Sequence, residues 1–360
     1  MTETTENLSL DTYRLLGRSG LRVSPLALGT MTFGTDWGWG ADAPEARRMF
    51  DAYLDRGGNF VDTANQYTGG TAERFVGDFA KSRRDQVVIA TKYSMTTVPR
   101  DPNSGGNHRK SMVRSVERSL DHLQTDYIDL LYLHVWEGTT PVEEILRSMD
   151  DLVRAGKVLY VAISDTPAWQ VSRMQTIADL RGWSPLVALQ IEYNLLERTV
   201  ERDLIPMARE MGLGVIPWSP LASGVLAGKY SRADLDAGEG VAEAVGTRKN
   251  VAASAGSLTE RGLDIADVVR DVAGEAGYSP SQVALAWTLR NPAVTSTIVG
   301  VRTFQQLEDN LGALDVALSD EQWARLDEVS AIELGFPHDF MQRPMTRATL
   351  LGDVKIVPRA

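Results

Sequence analysis

Eight apolar runs, each followed by a charge-flanked stretch of helical period, succeed one another along the chain. This alternation constrains the fold more than any other feature. The runs fall at 26–30 (LALGT), 59–63, 87–92, 128–134, 158–163 (VLYVAI), 186–193 (LVALQIEY), 214–218 (GVIPW) and 295–300 (TSTIVG). Helices are predicted between them at about 44–57, 72–82, 108–123, 142–156, 168–181, 200–212 and 263–277, with another at 303–315. Pro44 and Pro141 stand where a first helical turn tolerates proline, and Gly156 and Gly212 where helices commonly stop. The apolar runs are mostly continuous rather than alternating, which marks strands buried on both faces and therefore parallel. Eight such units are the number that closes a (β/α)8 barrel. An open doubly wound sheet, the alternative, needs a glycine-rich GxGxxG turn after its first strand. No such turn follows residue 30, so the predicted fold is an α/β barrel of the TIM type, one domain over 1–360.

Several segments lie outside the repeats. Residues 13–17 and 21–24, separated by Arg18-Ser19-Gly20, read as a small N-terminal hairpin. A long insertion, 221–262, follows the seventh strand. Ser319 to Gln322 has the pattern of a capping box opening an extra helix. The ends, 1–12 and 331–360, are expected to be flexible or loop-like. Insertion and tail are expected to cover the barrel mouth as cofactor clasp and pocket wall; surface decoration is the plainer reading.

With 37 basic against 48 acidic residues the net charge is −11, which disfavours nucleic acid and anionic membranes as partners. The absence of cysteine excludes disulfides, thiolate metal sites and cysteine nucleophiles, and no metal site is expected. The opening MTETTENLSLD is polar, unlike a secretory signal, and no apolar run approaches a bilayer span. A cytoplasmic protein acting on a small molecule is the expectation.

Four residues suggest the chemistry. Asp62, Lys92 and His134 end the second, third and fourth runs, and Tyr67 follows Asp62 by five positions. In a parallel barrel all strand C-termini open on one face, so these groups converge. Reducing a carbonyl takes a hydride to carbon and a proton to oxygen. A phenol with a pKa of about 10 is a weak acid alone, and a nearby ammonium is expected to lower it. Asp62 would keep Lys92 charged and oriented, and His134 would hydrogen-bond the carbonyl oxygen. Taken singly, Asp62 reads as well as a turn cap, and Tyr67 and His134 as core residues. A lysine directly after VVIAT is harder to explain that way, and together on one face the four read as a site.

The chain resembles the aldo-keto reductase superfamily, of the bacterial, NADPH-dependent type, from the hairpin to near residue 330. The matching stretches are LALGTMTFG (26–34), FVDTANQYTGGTAE (60–73), VIATKY (88–93), IDLLYLH (128–134), QIEYNLL (190–196), WSPLASGVLAGKY (218–230) and IVGVRTFQQLEDNL (298–311). The resemblance implies Tyr67 as the general acid and Asp62, Lys92 and His134 in the supporting roles. It also implies NADPH (NADP+) as cofactor, with the nicotinamide near Ser164, Gln190 and Trp218 and the Trp218 indole stacked on the ring. Ser219, Pro220, Leu221, Gly224 and Leu226 would embrace the diphosphate. Gly300, Arg302, Gln306, Asp309 and Asn310 would hold the adenosine end, Arg302 pairing with a 2′-phosphate. Lys229 and Arg248 are further phosphate partners.

The chain departs from the family's pattern at two positions. Asp165 stands where Asn commonly contacts the nicotinamide carboxamide, and a carboxylate accepts but cannot donate. Gln190 is expected to keep both functions towards that group. Thr68 stands where a glycine commonly follows the tyrosine, which is expected to alter loop shape more than chemistry. Trp37, Trp39, Tyr93 or Met95, and Val135 with Trp136 are expected to wall a pocket for a neutral aldehyde, ketone or keto-sugar; Trp37 and Trp39 read equally as loop anchors. The rival function is an NADPH-binding, redox-sensing module like the potassium-channel β subunits, which His134 argues against.

Overall fold

The computed structural model describes residues 8–236, 256–352, 354 and 356. A short antiparallel hairpin, β1 (Arg14–Leu15) with β2 (Arg22–Val23), precedes the barrel strands. These are β3 (Leu26–Gly29), β4 (Phe60–Asp62), β5 (Val88–Tyr93), β6 (Ile128–Leu133), β7 (Val158–Ser164), β8 (Leu186–Glu192), β9 (Gly214–Trp218) and β10 (Thr297–Gly300). All eight are parallel and run in the order β10-β3-β4-β5-β6-β7-β8-β9. The remaining seam is stitched beside β9: the Val215 N–H donates to the Ala293 carbonyl (3.1 Å) and the Thr295 N–H to the Val215 carbonyl (2.9 Å). The expected (β/α)8 barrel with its N-terminal hairpin is therefore the fold.

Strand alternation sorts the side chains into two layers. Ala27, Phe60, Val88, Ala90, Leu130, Tyr132, Ala162, Ala188, Ile216 and Ile298 fill the barrel interior. Their sequence neighbours Leu28, Val61, Ile89, Leu131, Leu133, Ile163, Leu189 and Val299 face the surrounding helices. Leu16 and Val23 of the hairpin join the interior group, so the hairpin plugs the N-terminal end of the barrel. Gly17 sits at φ 54 against the Val187 and Gly212 backbones, where any Cβ would collide; only glycine lets the plug seat.

The helices begin where their capping residues dictate. The Thr259 hydroxyl accepts from the Gly262 N–H (3.0 Å), which starts helix Glu260–Ala276 earlier than its apolar period indicates. The expected capping box at Ser319 and Gln322 opens Asp320–Val329. Segment 200–212 splits into a 3-10 turn, Thr199–Glu201, and a helix, Leu204–Met211. Helix Pro280–Leu289 escapes sequence reading because Val283 to Leu289 are buried all round, leaving no polar face to reveal a period. The tail expected to be loop-like instead carries helices His338–Gln342 and Pro344–Leu351. Pro337 and Pro344 stand at their starts, where a fixed φ and a missing N–H cost little. No helix among the described residues is long and apolar enough to cross a membrane.

Leu16→Ala should lower unfolding stability by about 3 kcal/mol, the ordinary cost of an unfilled leucine cavity. Urea melts of the two proteins check this; equal midpoints would mean that the hairpin does not plug the barrel.

Candidate active site

The same parity that fills the core builds the site. Following interior positions upward, Phe60 leads to Asp62, Ala90 to Lys92, Tyr132 to His134, Ala162 to Ser164, Ala188 to Gln190 and Ile216 to Trp218. Strand register brings them level: Gly29 pairs with Asp62, Lys92 with Tyr132, Ser164 with Gln190 and Glu192 with Trp218. These ends open into one cavity of about 890 Å3.

At its floor the Lys92 ammonium, with no exposed side-chain surface, donates to Asp62 Oδ1 (2.5 Å), the Thr63 carbonyl (2.9 Å) and the Tyr67 hydroxyl oxygen (3.3 Å). Its three protons are thus all used. The Gln190 amide nitrogen donates to the other Asp62 oxygen at 2.9 Å. That bond uses one of the two N–H donors of the Gln190 amide and leaves the other N–H, with Gln190 still on the cavity wall. Burial pulls the Lys92 pKa down, but Asp62 and Tyr67 outweigh it and the net shift is upward, which keeps the group charged. For Tyr67 the expected lowering is reversed: burial raises the phenol pKa by more than Lys92 lowers it. His134 stands nearly perpendicular to the Tyr67 ring, centroids 6.0 Å apart. Burial, and secondarily Lys92, push its pKa down to about 3, so at neutral pH it is an uncharged imidazole. Its Nδ1 is buried without a hydrogen-bond partner among the described residues.

Thr68 adopts φ 48, ψ 40, a left-handed conformation unusual for a β-branched residue. Its hydroxyl donates to the Phe33 carbonyl (2.8 Å) and accepts from the Ala72 N–H (3.0 Å). Threonine replaces glycine's conformational freedom with two bonds that tie the Tyr67 turn to the first barrel loop and the following helix.

Ser164, Asp165, Gln190, Trp218, Ser219, Pro220, Leu221, Gly224, Lys229, Gly300, Arg302, Gln306, Asp309 and Asn310 all line the cavity, with Asp62, Tyr67, His134 and Met95. Leu226 does not: it is fully buried in the layer between barrel and helices. Arg248 lies outside the described residues. Tyr93 is also no pocket wall. Lys92 faces inward, so its strand neighbour must face outward, and the Tyr93 hydroxyl donates to the Asn107 carbonyl (3.2 Å). Trp37 and Trp39 pack on each other (centroids 5.8 Å) and are not among the residues that line the cavity. Trp136 packs edge-on against Trp169 (5.6 Å, 85°), also off the wall, and Val135 is likewise not part of it.

Three features escaped the sequence reading. Glu192 lines the cavity, and its parity with Gln190 in QIEY was the available signal. Asn194 donates from its side chain to the Ser219 carbonyl (3.0 Å), holding the loop after β9 at a residue with φ 51. Asp165 accepts from the Trp218 indole N–H at 3.0 Å, a contact across two loops that no spacing discloses. Positive φ at Asp165, Ser219 and Ser223 concentrates backbone strain on this wall, as functional loops often do.

Comparison with known proteins agrees with this architecture. The family model described as "Aldo/keto reductase family" matches residues 25–331. Norsolorinic acid reductase of Aspergillus flavus is 37% identical over 347 residues, covering 93% of this chain and 85% of the relative. Aryl-alcohol dehydrogenase [NADP(+)] of Phanerodontia chrysosporium is 37% identical over 334 residues, covering 89% and 86%. An uncharacterized oxidoreductase of Bacillus subtilis, YrpG, is 39% identical over 330 residues, covering 88% and 95%. With the barrel, the cavity at its strand ends and a family match over nearly the whole of it, the chain belongs to the aldo/keto reductase family of oxidoreductases.

Proposed function

We propose that this protein reduces an aldehyde or ketone to an alcohol with NADPH, Tyr67 being the general acid. The observation that carries this reading is the Asp62–Lys92–Tyr67 chain at the cavity floor, one buried ammonium joined to a carboxylate and a phenol. The cavity wall fits a nicotinamide nucleotide in three respects. The Ser164 hydroxyl is buried without a partner among the described residues, ready for a carboxamide. Gly300 leaves open space where any Cβ would stand. Arg302, on the same wall, makes no ion pair among the described residues and matches a 2′-phosphate. Gln306 accepts from the Arg302 backbone N–H (2.9 Å) and so steadies that turn.

A bound reduced nicotinamide supplies the hydride. The chain's own groups handle the oxygen. The substrate carbonyl oxygen sits between the Tyr67 hydroxyl and the His134 ring. The neutral His134 imidazole donates a hydrogen bond that orients the carbonyl, and the Tyr67 proton passes to the oxygen as negative charge develops there. Lys92 then stabilises the phenolate, and Asp62 keeps Lys92 charged and aimed. A raised phenol pKa suits this direction, since the acid stays protonated at neutral pH. An aryl carbonyl is the substrate class we favour, by likeness to the relative named an aryl-alcohol dehydrogenase and with Met31 and Met95 as apolar cavity walls.

Tyr67→Phe should lower kcat with NADPH and an aromatic aldehyde by at least about a hundredfold while leaving the NADPH Kd within about twofold. Loss of NADPH binding in that variant would make Tyr67 structural instead. A wild type that binds NADPH but turns over no carbonyl would point to a cofactor-sensing module. Arg302→Ala should raise the NADPH Kd about tenfold and leave that for NADH nearly unchanged, as removal of one charge-assisted phosphate contact predicts. Equal weakening of both would end the 2′-phosphate role.

The depressed pKa of His134 also has a stability consequence. Between about pH 6.5 and about pH 3 the unfolded chain binds a proton at this ring that the folded site refuses, so its contribution is lost as pH falls. Relative to His134→Gln, the wild type should lose about 2 kcal/mol more on going from pH 7 to pH 5. Denaturant melts of both proteins at the two pH values check it, and parallel losses would show that the ring protonates in place.

A further inference from the structure

The cavity wall carries two carboxylates that carbonyl reduction does not use. Asp165 follows β7, and its Oδ1 accepts from the Trp218 indole N–H at 3.0 Å. Glu192 ends β8, paired in register with Trp218, and lines the same cavity. Asp165 thus holds the indole, and Glu192 stands on the neighbouring strand at the same level. Lys92, the cation at the floor among the described residues, is already paired with Asp62 at 2.5 Å, and neither Asp165 nor Glu192 has an ion-pair partner there. Burial first, and then the Glu197 and Asp165 charges, push the Glu192 carboxyl up to about 7. For Asp165 burial raises the pKa, while the Trp218 N–H and Lys92 favour the charged form.

We propose that Asp165, seated by Trp218 and seconded by Glu192, makes this site select the oxidised over the reduced nicotinamide. The inference rests on the reading above, which puts the ring against Trp218. Loss of hydride from the ring's C–H bond to the carbonyl carbon leaves the ring with one positive charge, and the proton for oxygen comes from Tyr67. The reduced ring is neutral. A fixed carboxylate beside it therefore stabilises only the oxidised form, by Coulomb attraction in a cavity screened less than bulk water. The bound cofactor becomes a stronger reductant, and release of the oxidised nucleotide becomes slower.

The test is calorimetric titration of NADP+ and NADPH into the wild type, Asp165→Asn and Glu192→Gln at one pH and ionic strength. Asparagine keeps an oxygen for the Trp218 N–H and removes only the charge. In Asp165→Asn the Kd for NADP+ should rise about tenfold while that for NADPH stays within about twofold. Glu192→Gln should shift the ratio the same way by a smaller factor, and carries the test if Asp165→Asn fails to fold. An unchanged ratio in the variants, with both nucleotides bound by the wild type, overturns the proposal and leaves the cofactor reading intact. A wild type that binds neither nucleotide overturns both.

Discussion

A lysine ammonium held wholly out of water must be neutralised and hydrogen-bonded, or the fold around it fails. Lys92 meets that demand with Asp62, the Thr63 carbonyl and the Tyr67 hydroxyl, and it has no proton left over. Removing one partner of such a buried pair typically costs about 3–5 kcal/mol, because the other charge is stranded. The arrangement of the cavity floor follows from this. Asp62 is drawn to the end of β4, the Tyr67 turn is tied across β5, and Gln190 is recruited from the far side of the barrel to satisfy the second carboxylate oxygen. A group that would be merely expensive in a structural core is here the link between three strands and the phenol we propose as the acid.

The barrel makes such a pair tolerable. Its lower interior is a dry filling of Phe60, Val88, Leu130 and Ile216, closed from below by Leu16 and Val23. Its upper end is where the same alternation runs out of apolar residues and turns polar. Interior side chains change from hydrocarbon to Asp, Lys, His, Ser, Gln and Trp within one step of the two-residue period. The chemistry is thus set on rigid strand ends, and the loops beyond them carry the positive-φ residues Asp165, Ser219 and Ser223. Burial then divides the titratable groups. It keeps His134 neutral and Tyr67 protonated, while its own cost at Lys92 is overcome by neighbouring charge.

Much of this was legible in the residues. The eight apolar runs matched the eight strands to within a residue or two, because parallel strands buried on both faces leave an unbroken hydrophobic signature. Asp62, Lys92 and His134 stood out because polar groups rarely end such runs. The failures have physical causes too. Tyr93 was placed on the wrong side of its strand although parity with Lys92 decides the matter. Leu226 lay in a stretch of small, loop-like residues but is fully buried in the layer between barrel and helices. Helix Pro280–Leu289 is apolar on every face and has no period to read.

The sequence by itself determined the barrel, the level at which its interior turns polar and the kinds of group standing there, because these are local properties of composition and period. Only the tertiary structure decided how those groups share their protons and charges. That Gln190 serves Asp62 rather than standing free, that Asp165 holds the Trp218 indole, and that burial outweighs Lys92 at Tyr67 all depend on distances across the barrel. Such distances are fixed by how eight strands close upon one another, and by nothing written at any single position.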